Sequence, residues 1–296
     1  MTTDLINTNF KLDGISYSQK SLVSHFKNNK PYHDFLSSWF DGNDFIIVKT
    51  SGSTGSPKSI SLKKKDMISS ARLTAKFFKL PQGSKVINCL PLEYIAGKMM
   101  LVRSMVMGWD LNLFPISSEP IKKISSVYDF IALTPMQLEK SLDKIKYIKT
   151  VIVGGSPVSN DLREKILKLE SKVYETYGMT ETITHIAARC LSKNENKFSA
   201  LPGVEFFEFN GCLAINTQHL SFKLIKTNDV VKLHSSKQFS WIGRKDFIIN
   251  SGGIKINPEE IETKLAKFFS NRLIISSISD EVLGQKVVLV FEKNIP

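Results

Sequence analysis

The chain is poor in cysteine. Its three, Cys89, Cys190 and Cys212, stand far apart and odd in number. That spacing argues against a disulfide framework or a cysteine zinc site and points to a reducing compartment. The five histidines form no metal-spaced pair. No run approaches the roughly 20 apolar residues of a membrane span; Met99 to Trp109 comes nearest, and Arg103 interrupts it. Met1 to Phe10 hold no apolar stretch of the signal-peptide kind, so a cytoplasmic location is expected. Internal repeats and low-complexity segments are missing. Acidic residues are scarce beside basic ones, 28 against 40, giving a formal charge of +12. The excess is lysine spread along the chain, and its one short run, Lys63-Lys64-Lys65, reads as a solvated helix face. Arginine clusters interleaved with aromatics are lacking, so nucleic acid is not an expected partner. Positive charge does raise the local concentration of anionic ligands.

What the chain has in plenty is length and ordinary apolar content, 296 residues at 42%. That suffices for one large core and a smaller second one. The densest chemistry lies at 50 to 60, T-S-G-S-T-G-S-P-K-S-I. Hydroxyl side chains crowd it (Thr50, Ser51, Ser53, Thr54, Ser56), and Lys58 adds a point charge. Phe45-Ile46-Ile47-Val48 before it reads as a buried strand, and a helical pattern runs from about Leu62 to Phe78. Strand, glycine-rich turn and helix is how backbone N–H groups come to surround a phosphate. Gly52 and Gly55 permit positive φ and close approach of the backbone. Pro57 breaks the Walker pattern G-x-x-x-x-G-K-[ST]. The competing reading is a flexible Ser/Gly linker, which the flanking elements and the closing Pro-Lys disfavour.

Residues 1 to 43 form a lead-in with aromatics at Phe35, Trp39 and Phe40. Beyond Asp44, short apolar runs alternate with helical patterns. Lys85 to Leu90, Tyr128 to Leu133, Thr150 to Val153 and Lys172 to Tyr174 read as strands. Ile95 to Met107, Pro135 to Lys144 and Val158 to Leu169 read as helices. The alternation predicts α/β layers with parallel strands. From Gly203 to Trp241 the runs are short and strand-like, with turns at Asn210-Gly211 and Thr227-Asn228.

Four further blocks carry candidate chemistry. In L-P-L-E-Y-I-A-G at 90 to 97 and the helix after it, Arg103 either snorkels to the surface or binds an anion. V-I-V-G-G-S-P-V at 151 to 158 ends a strand in Gly154-Gly155-Ser156. In Y-E-T-Y-G-M-T-E-T at 174 to 182, Tyr177 is an aromatic platform suited to a purine. Thr180 and Glu181 set a hydroxyl beside a carboxylate, hard oxygen ligands suited to Mg²⁺ that also touches phosphate; a strand end with a helix cap is the plainer alternative. Asp229, a candidate turn aspartate, is followed by W-I-G-R-K-D-F-I-I-N-S-G-G-I-K-I-N-P-E-E-I-E at 241 to 262. That last block holds Arg244, Asp246, a tight turn at Gly252-Gly253, and Asn257 poised to cap a helix opening at Pro258.

The 50 to 58 stretch matches [ST]-S-G-[ST]-[ST]-G-x-P-K, and with the later blocks it resembles the adenylate-forming superfamily of acyl-CoA synthetases, luciferases and adenylation domains. The resemblance spans about 50 to 290. It implies an enzyme using ATP, Mg²⁺ and coenzyme A: a carboxylate attacks the α-phosphate, and the thiol then takes the acyl group. It implies that Thr50, Ser51, Gly52, Ser53, Thr54, Gly55 and Lys58 hold the β- and γ-phosphates. Thr180 contacts the α-phosphate and Glu181 holds the metal. Gly154, Gly155, Ser156 and Tyr177 flank adenine, and Asp229 and Arg244 bind ribose. Asp246 is the hinge of a small lid, and Gly252 and Gly253 line the thiol's approach. L-P-L-E-Y-I-A-G-K-M-M-L-V-R and L-T-P-M-Q-L look most like the o-succinylbenzoate–CoA ligase branch, of menaquinone biosynthesis, with Tyr94 where histidine is common. That assigns Tyr94 and Arg103 to the acid, Arg103 pairing with its ring carboxylate.

The expected fold is α/β: a large layered amino-terminal domain with a β-rich subdomain over 1–243, shortened at its start. A partial α+β carboxy-terminal lid spans 247–296, with a hinge near 244–246. The family's terminal P-R-T-x-x-G-K block does not occur before Pro296. Two alternatives stay open: a ligase for another aryl or fatty acid, and a nucleotide-binding protein impaired in adenylation for want of that block's lysine.

Overall fold

The computed structural model describes residues 5–49, 59–221, 224–265, 268–269 and 273–291. They divide into two units, Met1–Val204 with Thr217–Lys223, and Glu205–Asn216 with Leu224–Pro296.

The first unit opens with a ribbon of β1 (Lys11–Leu12) and β2 (Ile15–Ser16), then α1 (Gln19–His25) and α2 (Lys30–Phe40). Next come β3 (Phe45–Lys49), β4 (Ser59–Lys63), α3 (Lys64–Phe78), β5 (Lys85–Asn88), α4 (Ile95–Met107) and β6 (Asp110–Leu113). It continues through β7 (Tyr128–Leu133), α5 (Pro135–Lys140), β8 (Ile148–Val153), α6 (Asn160–Ile166), β9 (Lys172–Gly178), β10 (His185–Cys190) and β11 (Phe198–Ala200). Its main sheet has the order β2-β1-β6-β5-β7-β8-β9-β10-β11. Strands β1, β6, β5, β7, β8 and β9 are parallel; β2, β10 and β11 join antiparallel. The chain runs from β5 to β6 on one side and then to β7 on the other. That reversal is a topological switch point.

Strands β7 and β8 end in F-I-A-L and T-V-I-V, near-continuous buried runs, as strands covered on both faces require. Every residue of α4 from Met99 to Val106 is buried, so this helix lies inside the unit. Gly97 sets its start: a Cβ there would come 2.3 Å from the Pro91 carbonyl oxygen. Helix α3 is one-sided by comparison and stops at Lys79 in the left-handed region, φ 55°. The lead-in belongs to the same core. Phe35 and Trp39 stack at 6.2 Å, and the Trp39 indole donates to the Leu5 carbonyl at 3.0 Å.

Several local expectations need correction. Phe45–Val48 is a strand but only half-buried: Ile46 and Val48 point inward while Phe45 and Ile47 are exposed. The helix expected from Leu62 begins at Lys64, because Ser59-Ile60-Ser61-Leu62-Lys63 alternates with the period of a strand. Strand β4 pairs antiparallel with β3, Lys49 opposite Ser59 and Ile46 opposite Leu62. The glycine-rich stretch therefore joins two strands, and the α3 terminus begins a whole strand later. The third and fourth helices expected are shorter than their patterns: α5 gives way to a 3₁₀ turn at Leu142–Tyr147. Strand β9 is longer than its apolar start, and carries Tyr177 within it.

The second unit is mostly β, with β12 (Val204–Phe209), β13 (Cys212–Thr217) and β14 (Leu224–Lys226) forming one sheet in that order. Asn210 and Gly211 both take positive φ, 52° and 77°, as a two-residue hairpin turn demands. A hairpin of β15 (Asp229–Ser235) and β16 (Gln238–Arg244) follows. Then β17 (Ile249–Ser251), β18 (Ile254–Ile256), α7 (Pro258–Leu265), β19 (Leu273–Asp280) and β20 (Gly284–Phe291) make a small α+β arrangement in the order β18-β17-β20-β19. Among the described residues no helix is long and apolar enough to cross a membrane.

Candidate active site

Because β5, β7, β8 and β9 are parallel, their carboxyl ends share one edge. Asn88 leads into the 90 to 97 block, Val153 into Gly154-Gly155-Ser156, and Gly178 into Thr180-Glu181. Stretches some ninety residues apart are thus gathered beside the switch point, where open α/β sheets bind ligands.

At this edge the backbone is close-fitting. A Cβ on Gly154 would come 2.6 Å from Thr176 Oγ1, whose hydroxyl donates to the Val153 carbonyl at 3.2 Å. Gly155 takes φ 89°, and Ser156 is exposed. Tyr177 is half-buried and faces Phe198 of β11, ring centroids 5.9 Å apart. Two residues earlier, buried Glu175 accepts from Arg189, with an ion-pair distance of 2.6 Å, and from Arg163 at 3.3 Å. The Arg189 guanidinium lies 4.5 Å over Phe198. Burial pushes its pKa down, against the pull of Glu175.

Thr180–Thr182 forms a 3₁₀ turn. The Met179 N–H donates to Thr182 Oγ1 at 2.9 Å, and that hydroxyl donates to the Thr184 carbonyl at 2.7 Å. Buried Ile183 sits at φ 69°, ψ −57°, where a β-branched residue is strained by about 1–3 kcal/mol. Glu181 is exposed and bonds to none of the described residues.

Arg103 is 1% exposed, on the buried helix α4. Its Nε donates to Thr74 Oγ1 at 3.3 Å and its Nη2 to Thr184 Oγ1 at 3.1 Å. Nη2 also lies 3.5 Å from His185 Nδ1, and Nη1 faces the Met100 sulfur at 3.6 Å. No carboxylate among the described residues pairs with it. Burial alone pushes its pKa down to about 9. A buried cation without a counter-charge costs several kcal/mol, so this shell fits an anionic ligand. Tyr94 caps the same helix but is exposed and nine residues away, about 14 Å along the axis.

In the second unit, Asp229 and Arg244 are direct cross-strand partners. Asp229 accepts from the Trp241 indole at 3.3 Å. Arg244 pairs with Asp246 at 2.9 Å, and Asn228 donates to both Asp246 oxygens at 3.1 Å. Arg244 first, and then Asn228, hold the Asp246 carboxyl below its usual range. Gly252 and Gly253 form the β17–β18 turn at φ 57° and 86°. Thr50, Ser51, Gly52, Ser53, Thr54, Gly55 and Lys58 lie outside the described residues. Sequence reasoning missed Thr74, Thr184 and His185 around Arg103, and the Arg163–Glu175–Arg189 cluster. The only hint was the polar run T-I-T-H after the T-E pair.

These features define an α/β protein with an open, largely parallel sheet, its glycine turn, Tyr177 and the Thr180–Glu181 pair lying along one carboxyl edge beside the switch point. The profile of the AMP-binding enzyme family matches residues 11–205, and the chain belongs to that family. It is 24% identical over 272 residues to the 2-succinylbenzoate–CoA ligase of Haemophilus influenzae, covering 84% of this chain and 60% of that protein. The Escherichia coli ligase of the same name is also 24% identical, covering 83% and 58%. The chain thus spans less than two thirds of the length of these relatives. The crystal structure of an acyl-CoA synthetase (AMP-forming)/AMP-acid ligase II-like protein from Dyadobacter fermentans superposes with a TM-score of 0.70 at 34% identity, over 94% of this chain and 85% of that one. The o-succinylbenzoate CoA synthetase of Bacillus subtilis, in complex with its acyl-adenylate intermediate, has the same fold, with a TM-score of 0.72 at 23% identity over 84% and 60%.

Proposed function

We propose that the protein acts in the ATP-dependent activation of a carboxylic acid as an acyl-adenylate, with transfer to coenzyme A. Its acid is an aryl dicarboxylate of the 2-succinylbenzoate kind, which would place it in menaquinone biosynthesis, in the cytoplasm. The observation that carries this reading is Arg103, a buried guanidinium with only neutral partners among the described residues. The names of the relatives support the same acid.

A carboxylate is already ionised at pH 7. The first step therefore needs alignment and charge stabilisation, not a base. Lys58 and the Thr50–Gly55 stretch are assigned to the β- and γ-phosphates, Thr180 to the α-phosphate. Tyr177 takes adenine with Gly154, Gly155 and Ser156, and Asp229 and Arg244 take ribose. Glu181, exposed and unpaired among the described residues, fits a single hard-oxygen ligand for Mg²⁺, which would offset phosphate charge. Tyr94 and Arg103 are assigned to the acid, Asp246 to a hinge, and Gly252 and Gly253 to the thiol's approach. The test is pyrophosphate release from ATP with a panel of acids, followed by thioester formation on adding coenzyme A. Release that depends on 2-succinylbenzoate supports the reading. Tight ATP binding with no acid-dependent release refutes it.

A further inference from the structure

The fixed point of the Arg103 shell is Thr74, on α3. Its hydroxyl proton goes to the Ser70 carbonyl, 3.0 Å away on the preceding turn. Thr74 Oγ1 can then only accept from its other neighbours. One is Arg103 Nε at 3.3 Å; the other is His185 Nε2 at 3.2 Å. Arg103 Nη2 can only donate, so its approach to Nδ1 is satisfied when the His185 proton sits on Nε2, which leaves Nδ1 bare. Nδ1 lies 3.5 Å from Arg103 Nη2, and Thr184 Oγ1 accepts from the same nitrogen at 3.1 Å. Nε and the Nη2 edge are thereby occupied. Among the described residues Nη1 faces only the thioether of Met100, a weak acceptor.

We propose that His185 is a positioning residue: as the Nε2–H tautomer it holds the Nη2 edge of Arg103 and leaves the Nη1 edge to receive the second carboxylate of an aryl dicarboxylic acid. This role rests on the reading of Arg103 as the acid's partner. A ring with a proton on Nδ1, or on both nitrogens, would aim an N–H at the guanidinium and displace it. The surroundings keep the ring neutral. Phe78 of α3 lies edge-on at 5.8 Å, Thr74 comes from the same helix, and Thr184 adjoins in sequence. Arg103 of α4 is the one charged group among the described residues that acts on it. Burial first, and that charge second, push the imidazole well below its ordinary pKa. A histidine here thus presents a lone pair to Arg103 across the whole physiological range.

Two measurements on the full chain test this. Nitrogen NMR of the ¹⁵N-histidine-labelled protein should show His185 protonated at Nε2 only; a proton on Nδ1 overturns the proposal. Calorimetry should then compare 2-succinylbenzoate with 4-oxo-4-phenylbutanoate, the same acid without its ring carboxylate. His185→Leu removes the lone pair and should weaken 2-succinylbenzoate about ten- to a hundredfold, the scale of a misplaced positioning group. It should leave 4-oxo-4-phenylbutanoate unchanged. His185→Gln keeps one acceptor and one donor and should restore most of the loss. An unchanged affinity in the leucine variant, or an equal loss in both variants, overturns the proposal. Arg103→Met separates the two readings. If it weakens both acids alike, the assignment of Arg103 falls and takes this one with it. If it singles out 2-succinylbenzoate while His185→Leu does not, only the role of His185 falls.

Discussion

Arg103→Met should cost function without costing stability. The guanidinium is wholly buried, and its pKa is pushed from 12.5 down to about 9. At 1.36 kcal/mol per unit, that is a desolvation burden of about 5 kcal/mol not offset by its neighbours. Against it stand three long hydrogen bonds to neutral acceptors, at 3.1, 3.3 and 3.5 Å. Each is worth about 1 kcal/mol net. A methionine of similar length fills the space and removes the buried charge. The variant should unfold at equal or higher denaturant, with a gain of about 1–2 kcal/mol, as for buried ions replaced by apolar side chains. Acid binding should move the other way. Truncating one partner of a desolvated charge pair costs about 2–5 kcal/mol, or about 30- to 4,000-fold in affinity. Urea titration measures the first quantity and calorimetry with 2-succinylbenzoate the second. A loss of 3 kcal/mol or more in stability, with 2-succinylbenzoate and its analogue lacking the ring carboxylate equally weakened, would show a strut between helices and refute the charge account.

Three further outcomes are expected. Tyr177→Ala should weaken ATP by about 1–3 kcal/mol, the scale of a lost aromatic stack and its burial; equal calorimetric affinity would remove Tyr177 from the adenine site. Glu181→Gln should bind nucleotide normally without metal and lose the Mg²⁺-dependent gain, so an unchanged magnesium titration would count against its role. Glu175→Gln strips the counter-charge from Arg163 and Arg189. It should lower unfolding free energy by about 3 kcal/mol, the low end for a broken buried pair, and a change below 0.5 kcal/mol would show the pair to be solvent-screened.

What was legible in the sequence was whatever the backbone itself demands. Gly154 and Gly155 stand out because one has no room for a Cβ and the other needs positive φ. Tyr177, Thr180 and Glu181 are consecutive enough to read as one block. The α/β layering followed from apolar runs alternating with helical spacing. Strand β4 escaped because its Ser-Ile-Ser-Leu alternation was split, Ser59 and Ile60 read with the glycine-rich stretch and Leu62 with the following helix. The Arg103 shell escaped for a different reason. Thr74 is 29 residues from Arg103, Thr184 is 81 and His185 is 82, so no local pattern joins them. Glu175 is hidden in a strand, where one acidic residue at an inward position looks like any solvated one.

The short lead-in has a consequence for how the protein survives in a crowded solution. Strand β6 would otherwise be the outer edge of the parallel sheet. Lys11 and Leu12 lie along it, and the Asp13 N–H donates to the Leu111 carbonyl at 2.8 Å. The Leu113 N–H donates to Asp13 Oδ1 at 3.2 Å, and the Gly14 N–H to Asp110 Oδ1 at 2.9 Å. The ribbon turns back at once, so the rim it presents is β2, only two residues long. A rim that short offers little for another chain's strand to add to. Residues 11–16 thus act as a selvedge, keeping the weave of the sheet from being extended by a neighbouring molecule.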